Sequence, residues 1–321
     1  MKYVLGLLAF VLVQGSVYSQ GCSDAGFCSM GAMRPSQVYT KKINFKLRAL
    51  EFSYYKGETE LTPTINAATL DFTFGINEKT NLQFKLPYQW VDGSLGNTAG
   101  VADLSLSLTR NMYSTEKFHI NGTLGFKIPT NNGDLDEELN SENLTDGVQT
   151  ADLPMYYQTS LGTFDLVLGG AFISKEWMFA AGIQTPIAHN NENDFQYDQW
   201  QNYPDPAYLR DYDLATNLER GTDVMLRVER AFHFSNLDIR AGLLPIFRIS
   251  KDEILDRDSG ERIKLEGTTG MALTGLLNVA YHFNTKHTTR LLYGLKITDR
   301  DVNPDGLTRD NVLSLSYVLT F

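Results

Sequence analysis

Hydrophobic and polar residues alternate along most of this chain. In "LQFKLPYQW" (82–90), Leu82, Phe84, Leu86, Tyr88 and Trp90 share one face, and Gln83, Lys85 and Gln89 the other. Leu104, Leu106 and Leu108 alternate with Ser105, Ser107 and Thr109. Phe118, Ile120, Leu124, Phe126 and Ile128 form a third apolar row, with Gly122 in line; Lys117, His119, Asn121, Thr123 and Lys127 oppose them. A period of two with one apolar and one polar face is the pattern of a β-strand. It predicts twelve strands, near 43–54, 65–76, 80–91, 102–112, 117–128, 156–173, 176–186, 223–234, 237–249, 269–283, 288–298 and 311–321. The start of the sixth is ambiguous. Its "SLGTF" is either a bulge or the prelude to a start at Phe164.

The links follow a rule of their own. After even-numbered strands they are short: "NEK", "YSTE", "SK", "SN" and "NTKH". After odd-numbered strands they are longer, the fifth spanning Pro129 to Met155 and the seventh Ile187 to Thr222. Strict short–long alternation is expected of an up-and-down antiparallel barrel, with tight turns on one side and loops on the other. An even strand count closes such a barrel with both termini on the short-turn side.

The ends of the chain set the compartment. Met1-Lys2 precedes the apolar run "YVLGLLAFVLV" and small residues suited to cleavage near Ser19. Residues 1–19 therefore read as a secretory signal peptide. No later stretch approaches the roughly 18–20 apolar residues of a membrane-spanning helix, and mean hydropathy is below zero. That leaves a soluble exported protein or a barrel whose strands need be apolar only at alternate positions. "NVLSLSYVLTF" favours the barrel: Leu313, Leu315, Tyr317, Leu319 and the terminal Phe321 share one face. As the last strand of a soluble sandwich it would leave a long apolar edge unprotected. The predicted organisation is a signal peptide (1–19), an N-terminal periplasmic segment or plug (20–42) and an all-β transmembrane barrel (43–321). Tyr54, Tyr88, Trp90, Trp177, Tyr281, Phe283 and Phe321 sit near strand ends, where aromatic girdles are expected.

Export signal, alternating strands and aromatic-terminated last strand together resemble bacterial outer-membrane β-barrels. The resemblance implies that outer-membrane lipids surround the chain and that barrel-insertion machinery recognises its C-terminal strand. "GVADLSLSLTR" (100–110) further resembles a strand signature of the transporters associated with the meta-pathway of phenol degradation. That similarity implies passage of small, hydrophobic molecules.

Alternation also nominates pore-lining residues. The cationic candidates are Lys46, Arg48, Lys85, Lys127, Arg227, Arg240, Arg248, Arg290 and Lys296; the acidic ones are Asp71, Asp103, Asp165, Glu229 and Asp238. An excess of cations favours anionic solutes; the competing reading is that opposite charges pair and fill a narrow lumen. In the seventh link, Tyr197, Trp200, Tyr203, Tyr208 and Tyr212 are interspersed with aspartates. They are outer-loop candidates for binding a sugar, an aromatic solute or a cation, against the alternative of a loop folded over the mouth. "DLDEELNSE" lacks the ligand spacing of a calcium loop, so neither a metal site nor a cofactor is expected.

Two functions fit: a channel or transporter for small molecules, or a non-conducting barrel whose loops bind a partner. Its oligomeric state stays open. Enzymatic activity is not expected. The lipase-like trio His233, Ser235 and Asn236 lies in a short turn, with Leu237 where that signature has Gly. A net charge of −10 disfavours nucleic acid. Cys22 and Cys28, the only cysteines, fall just after the cleavage site. The periplasm favours a disulfide between them; a lipid anchor on Cys22 and a soft-metal site with Met30 and Met33 are the alternatives.

Overall fold

The strands bury their polar faces and expose their apolar ones. In the computed structural model, described for residues 30, 33, 34, 45–58, 61, 63–307 and 309–321, Ser105, Ser107, Thr109 and Asn111 are buried while Leu108 between them is exposed. Phe52, Tyr88, Leu243 and Leu315 are each about half exposed. A soluble protein avoids so continuous an apolar exterior; a lipid-facing wall requires it. The signal-peptide stretch, Cys22 and Cys28 lie outside the described residues.

In chain order the strands are β1 (Lys46–Glu58), β2 (Thr64–Asn77), β3 (Thr80–Asp92), β4 (Asn97–Val101), β5 (Leu104–Ser114), β6 (Phe118–Ile128), β7 (Thr163–Ser174) and β8 (Trp177–His189). There follow β9 (Asp223–Phe234), β10 (Leu237–Arg248), a small hairpin of β11 (Glu253–Leu255) and β12 (Arg262–Lys264), then β13 (Gly270–His282), β14 (His287–Thr298) and β15 (Asn311–Thr320). All neighbours are antiparallel, and β1 pairs with β15 from Ala49↔Thr320 to Glu58↔Asn311. The sheet therefore closes into a 12-strand barrel. Closure removes the edges that an open sheet would expose.

Three strands differ from the sequence expectation. The fourth is longer: β4 pairs with the outer half of β3 and β5 with its inner half. Ala102-Asp103 interrupts this composite strand, and the Asp103 carboxylate, in the inward row of Ser105 and Ser107, lies 3.0 Å from Lys127. The sixth starts at Thr163; residues 156–162 belong to the outer loops, where Met155–Tyr157 forms a buried 3-10 turn. The first is shifted to Lys46–Glu58, with a bulge between Leu47 and Ala49. Arg48 lies inside as nominated, although it shares the parity of the outward Leu50 and Phe52. The extra residue turns it inward, where its guanidinium donates to Asn81 Oδ1 (2.6 Å) and the Asn77 carbonyl (2.7 Å).

Aromatic side chains collect at both rims. Tyr54, Tyr88 and Trp90 pack together near the loop end, with centroids 6.1–6.5 Å apart. Trp177 with Phe179, and Tyr281 with Phe283, do so near the turn end. Among the described residues no helix is long and apolar enough to span a membrane.

Candidate functional site: a lumen closed at two levels

The outer closure is a cap built from the long loops. Loops 129–162 and 190–222 fold together over the mouth because side chains satisfy their buried backbone groups. Gln158 Nε2 donates to the Leu135 and Leu153 carbonyls, and Asn193 Nδ2 to those of Gly133 and Leu153. In "DPAYL", Asp205 caps a single helical turn by accepting from the Ala207 and Tyr208 amides, with Pro206 at its first position. That turn sets Tyr208 beside Tyr212, rings edge-on at 5.5 Å.

The five loop aromatics are thereby placed, and they do not form an open binding face. Trp200 and Tyr212 are fully buried, with Phe195, Leu153, Tyr157 and Leu209 around them. Tyr197, Tyr203 and Tyr208 are half-buried against the same cluster. Large apolar area in loops that meet face to face is best removed from water by packing together. The rings are the core of the cap.

Under the cap lies a charged cluster with almost no exposure. Arg248 holds Asp223 in a fork (2.6 and 3.0 Å), reaches Asp305 at 2.8 Å and also binds Asp252. Arg220 lies 3.3 Å from Asp223 and 3.5 Å from both Asp165 and Asp305. Arg300 reaches Asp305 at 3.4 Å. Asp165, Asp223 and Arg248 belong to the barrel wall; Arg220, Asp252, Arg300 and Asp305 come from three different loops. The cluster pins the cap to the barrel. Burial pushes the Asp252 carboxyl up in pKa, although Arg248 opposes it. Burial acts on Asp305 in the same sense, but Arg300, Arg248 and Arg220 outweigh it and hold that group far below the ordinary range. Elsewhere in the cap, burial and then repulsion from Asp134 and Asp136 push Asp152 up to about 7, with Arg257 opposing.

The second closure crosses the lumen at mid-height. Met30 and Met33 are buried against Val167, Ala171, Ala180, Leu244 and Leu276, which form an apolar wall on β7–β10 and β13. The Met33 amide donates to the Met30 carbonyl at 3.2 Å, a tight turn. Gly125 makes room for Met30: a Cβ there would lie 2.2 Å from its sulfur. Arg34 then reaches the opposite side, binding Glu51 and lying 3.2 Å from Asp71. The wall facing the apolar one is polar. Gln83, Ser107, Thr109, Thr123, Asn111 and Asn121 are buried on β3, β5 and β6.

The other nominated lumen residues fall into three groups. Lys85, Lys127, Arg227, Glu229, Asp71 and Asp103 are buried inside the barrel, and Arg240 and Arg290 are partly so. Arg248, Lys296 and Asp165 also face inward, but in the cap attachment; Lys296 pairs with Asp310 (3.1 Å) and Asp299 (3.3 Å). Lys46 is exposed at the turn end of β1, and Asp238 sits at the same rim between His233 and His282. These last two do not line the constriction. Alternation failed to find Arg220, Asp252, Arg300 and Asp305, because loops have no alternating face. Glu51 was legible, since it lies between the apolar Leu50 and Phe52 on the face of Ala49 and Ser53.

A cavity of about 60 Å³ remains between cap and wall, lined by residues including Ala102, Lys127, Thr159 and Arg309. At roughly 10–15 Å³ per water it has room for about four to six. The His233 ring is committed to Asp238 (2.7 Å) and the Lys175 carbonyl (2.6 Å), and Ser235 Oγ donates to Asn236 at 3.3 Å. His233 and Ser235 thus lack the base–nucleophile contact of an acyl-transfer site.

A closed antiparallel barrel, apolar outside and polar within, defines a bacterial outer-membrane β-barrel protein. No family model matches the chain, and no curated protein matches its sequence. Among solved structures, an outer membrane channel from Pseudomonas putida aligns with a TM-score of 0.58 over 89% of this chain and 99% of that one, at 14% identity. The CymD monoaromatic hydrocarbon channel aligns at 0.40 over 96% and 95%, with 11% identity. Outer membrane phospholipase A from Escherichia coli aligns at 0.36 over 86% and 99%, with 7% identity. At these identities the likeness is one of fold.

Proposed function

We propose that this protein is a channel for small molecules, held closed at rest by its cap and by the segment around Met30–Arg34. The observation that carries this reading is the segment itself. Its described residues, Met30, Met33 and Arg34, lie in the lumen, although permanent side chains on the wall could have filled the same space. Residues 20–42 act as a plug, and a Cys22–Cys28 disulfide would stiffen the stretch leading into it. The strand signature at 100–110 and the apolar wall support small hydrophobic solutes, and the lumen cations support anionic ones. The C-terminal β15 ends beside Phe321, about half exposed, which suits recognition by barrel-insertion machinery. Catalysis has no support in the His233–Ser235 geometry.

Liposome swelling and single-channel recording with the full mature chain test this. Conductance that rises when Met30 and Met33 are both replaced by Ala is the expected result. Wild-type and variant barrels that both pass nothing would favour the non-conducting interaction barrel instead.

A further inference from the structure

Below the plug, three guanidiniums from different strands approach one another: Arg227 on β9, Arg240 on β10 and Arg290 on β14. Two of them have visible occupations. Arg227 donates to Glu229 Oε1 (2.8 and 2.5 Å) and to the Met33 carbonyl (3.4 Å). Arg290 donates to Glu51 at 3.2 Å. Arg240 has neither a hydrogen bond nor an ion pair with any described residue. The charges within its electrostatic reach are Glu229, Asp238, Arg227 and Arg290. Glu229 is held through Oε1 by Arg227 and Asn278 (3.1 Å), and its Oε2 is buried without a hydrogen-bond partner; Asp238 is held by His233 and His282; neither carboxylate hydrogen-bonds Arg240. A half-buried guanidinium without a partner is costly unless an anion visits it.

The apolar wall begins directly above. Leu244 follows Arg240 by four positions on the inward row of β10, and Leu276 and Met178 stand beside it in the same cluster. Met33 presently covers that wall, and its carbonyl oxygen accepts from Arg227. The plug thus supplies both halves of a ligand: an apolar body against Leu244 and Leu276, and an acceptor oxygen toward the guanidiniums.

We infer that the lumen holds a two-part binding site for small organic anions with an apolar body, carboxylates in the first instance. Arg240 anchors the anion and the Leu244–Leu276 wall takes the body. Such a solute competes with Met33 for the same surface. The inference rests on the channel reading and names its solute class. It also explains why the lumen cations are not all paired.

The test compares benzoate with benzyl alcohol, which keeps the ring and removes the charge. Proteoliposomes carrying the full mature chain are assayed for uptake of both, with wild type, R240Q and R240K. The ratio of benzoate to benzyl alcohol uptake should fall about tenfold in R240Q, the scale of one charge-assisted hydrogen bond, and partly recover in R240K. An unchanged ratio in R240Q overturns the site. Benzoate binding to the folded, detergent-solubilised barrel is measured in parallel by calorimetry. If neither solute crosses the membrane, the channel reading fails by itself. Benzoate binding that is weakened about tenfold in R240Q would still support the site, and equal or absent binding in both proteins would reject it.

Discussion

The two closures of the lumen are built from different materials. The cap has its own hydrophobic core, with Trp200, Tyr212, Phe195 and Tyr157 fully buried, and a cluster of arginines and aspartates joining three loops to the wall. The described residues of the plug are Met30, Met33 and Arg34, which pairs with Glu51 and Asp71. Methionine fills irregular space without defining a unique fit, and one arginine shared between Glu51 and Asp71 is a smaller anchor than the multi-arginine cluster under the cap. Under the proposed channel reading, the contrast makes the cap the better-anchored closure and the contacts of Met30, Met33 and Arg34 the ones whose loss would open the lumen.

The strongest challenge to this comparison is Arg248→Met. It leaves Asp223, Asp252 and Asp305 without their shared cation, and breaking such a buried network costs about 3–5 kcal/mol. The cap should become cleavable by protease at concentrations that leave wild type intact, while the barrel stays folded by its heat-resistant migration. Trp200→Ala should act in the same direction by opening a cavity, at a similar cost of about 3–5 kcal/mol. A cap unaffected by either change would remove the contrast.

Next in size is the plug. Met33→Ala should weaken its seating by about 2 kcal/mol, which raises the open-to-closed ratio about thirtyfold. Single-channel recordings should show longer open times, with the cap as protease-resistant as in wild type. Gly125→Val should do likewise, because its side chain takes the place of the Met30 sulfur. Arg34→Gln removes the largely buried ion pairs to Glu51 and Asp71, at a similar cost of about 2 kcal/mol, and should likewise shorten closed times.

The smallest effect is on pH. Asp152 binds its proton more tightly in the folded cap, near pH 7, than its ordinary value of 3.8. Its contribution to cap stability is therefore full below about pH 4 and is lost as pH rises through 7. Its Oδ2 accepts from the Asp194 amide at 2.6 Å. Hydrogen exchange at that amide, corrected for intrinsic rates, should show rising local opening between pH 4 and 8 in wild type. Asp152→Asn should flatten the profile.

Much of this architecture is visible in the chain. Period-two alternation identified every strand of the wall, and link lengths sorted the two ends of the barrel. The errors fall where alternation stops carrying information. Residues 156–162, "YYQTSLG", leave the start of the sixth strand ambiguous; they are buried in the cap, and the strand begins at Thr163, next to the alternative start at Phe164. Arg48 lies in the lumen as nominated, although it is a bulge in β1 that turns it inward. The loop aromatics read equally well as a binding face or a core, since composition does not reveal whether two loops meet.

The sequence by itself determined the barrel: which faces meet lipid, how many strands close the ring and where each end lies. These properties follow from local alternation and from the need to satisfy every backbone group within a membrane. Only the tertiary structure decided what fills the ring. It brought Met30 to Gly125, Arg34 to Glu51 and Asp71, and Arg248 to Asp223, Asp252 and Asp305, leaving Arg240 without a partner among the described residues. Apart from Arg248–Asp252, those contacts join different segments of the chain, and their pairing depends on which segments the closed wall forces to share one interior.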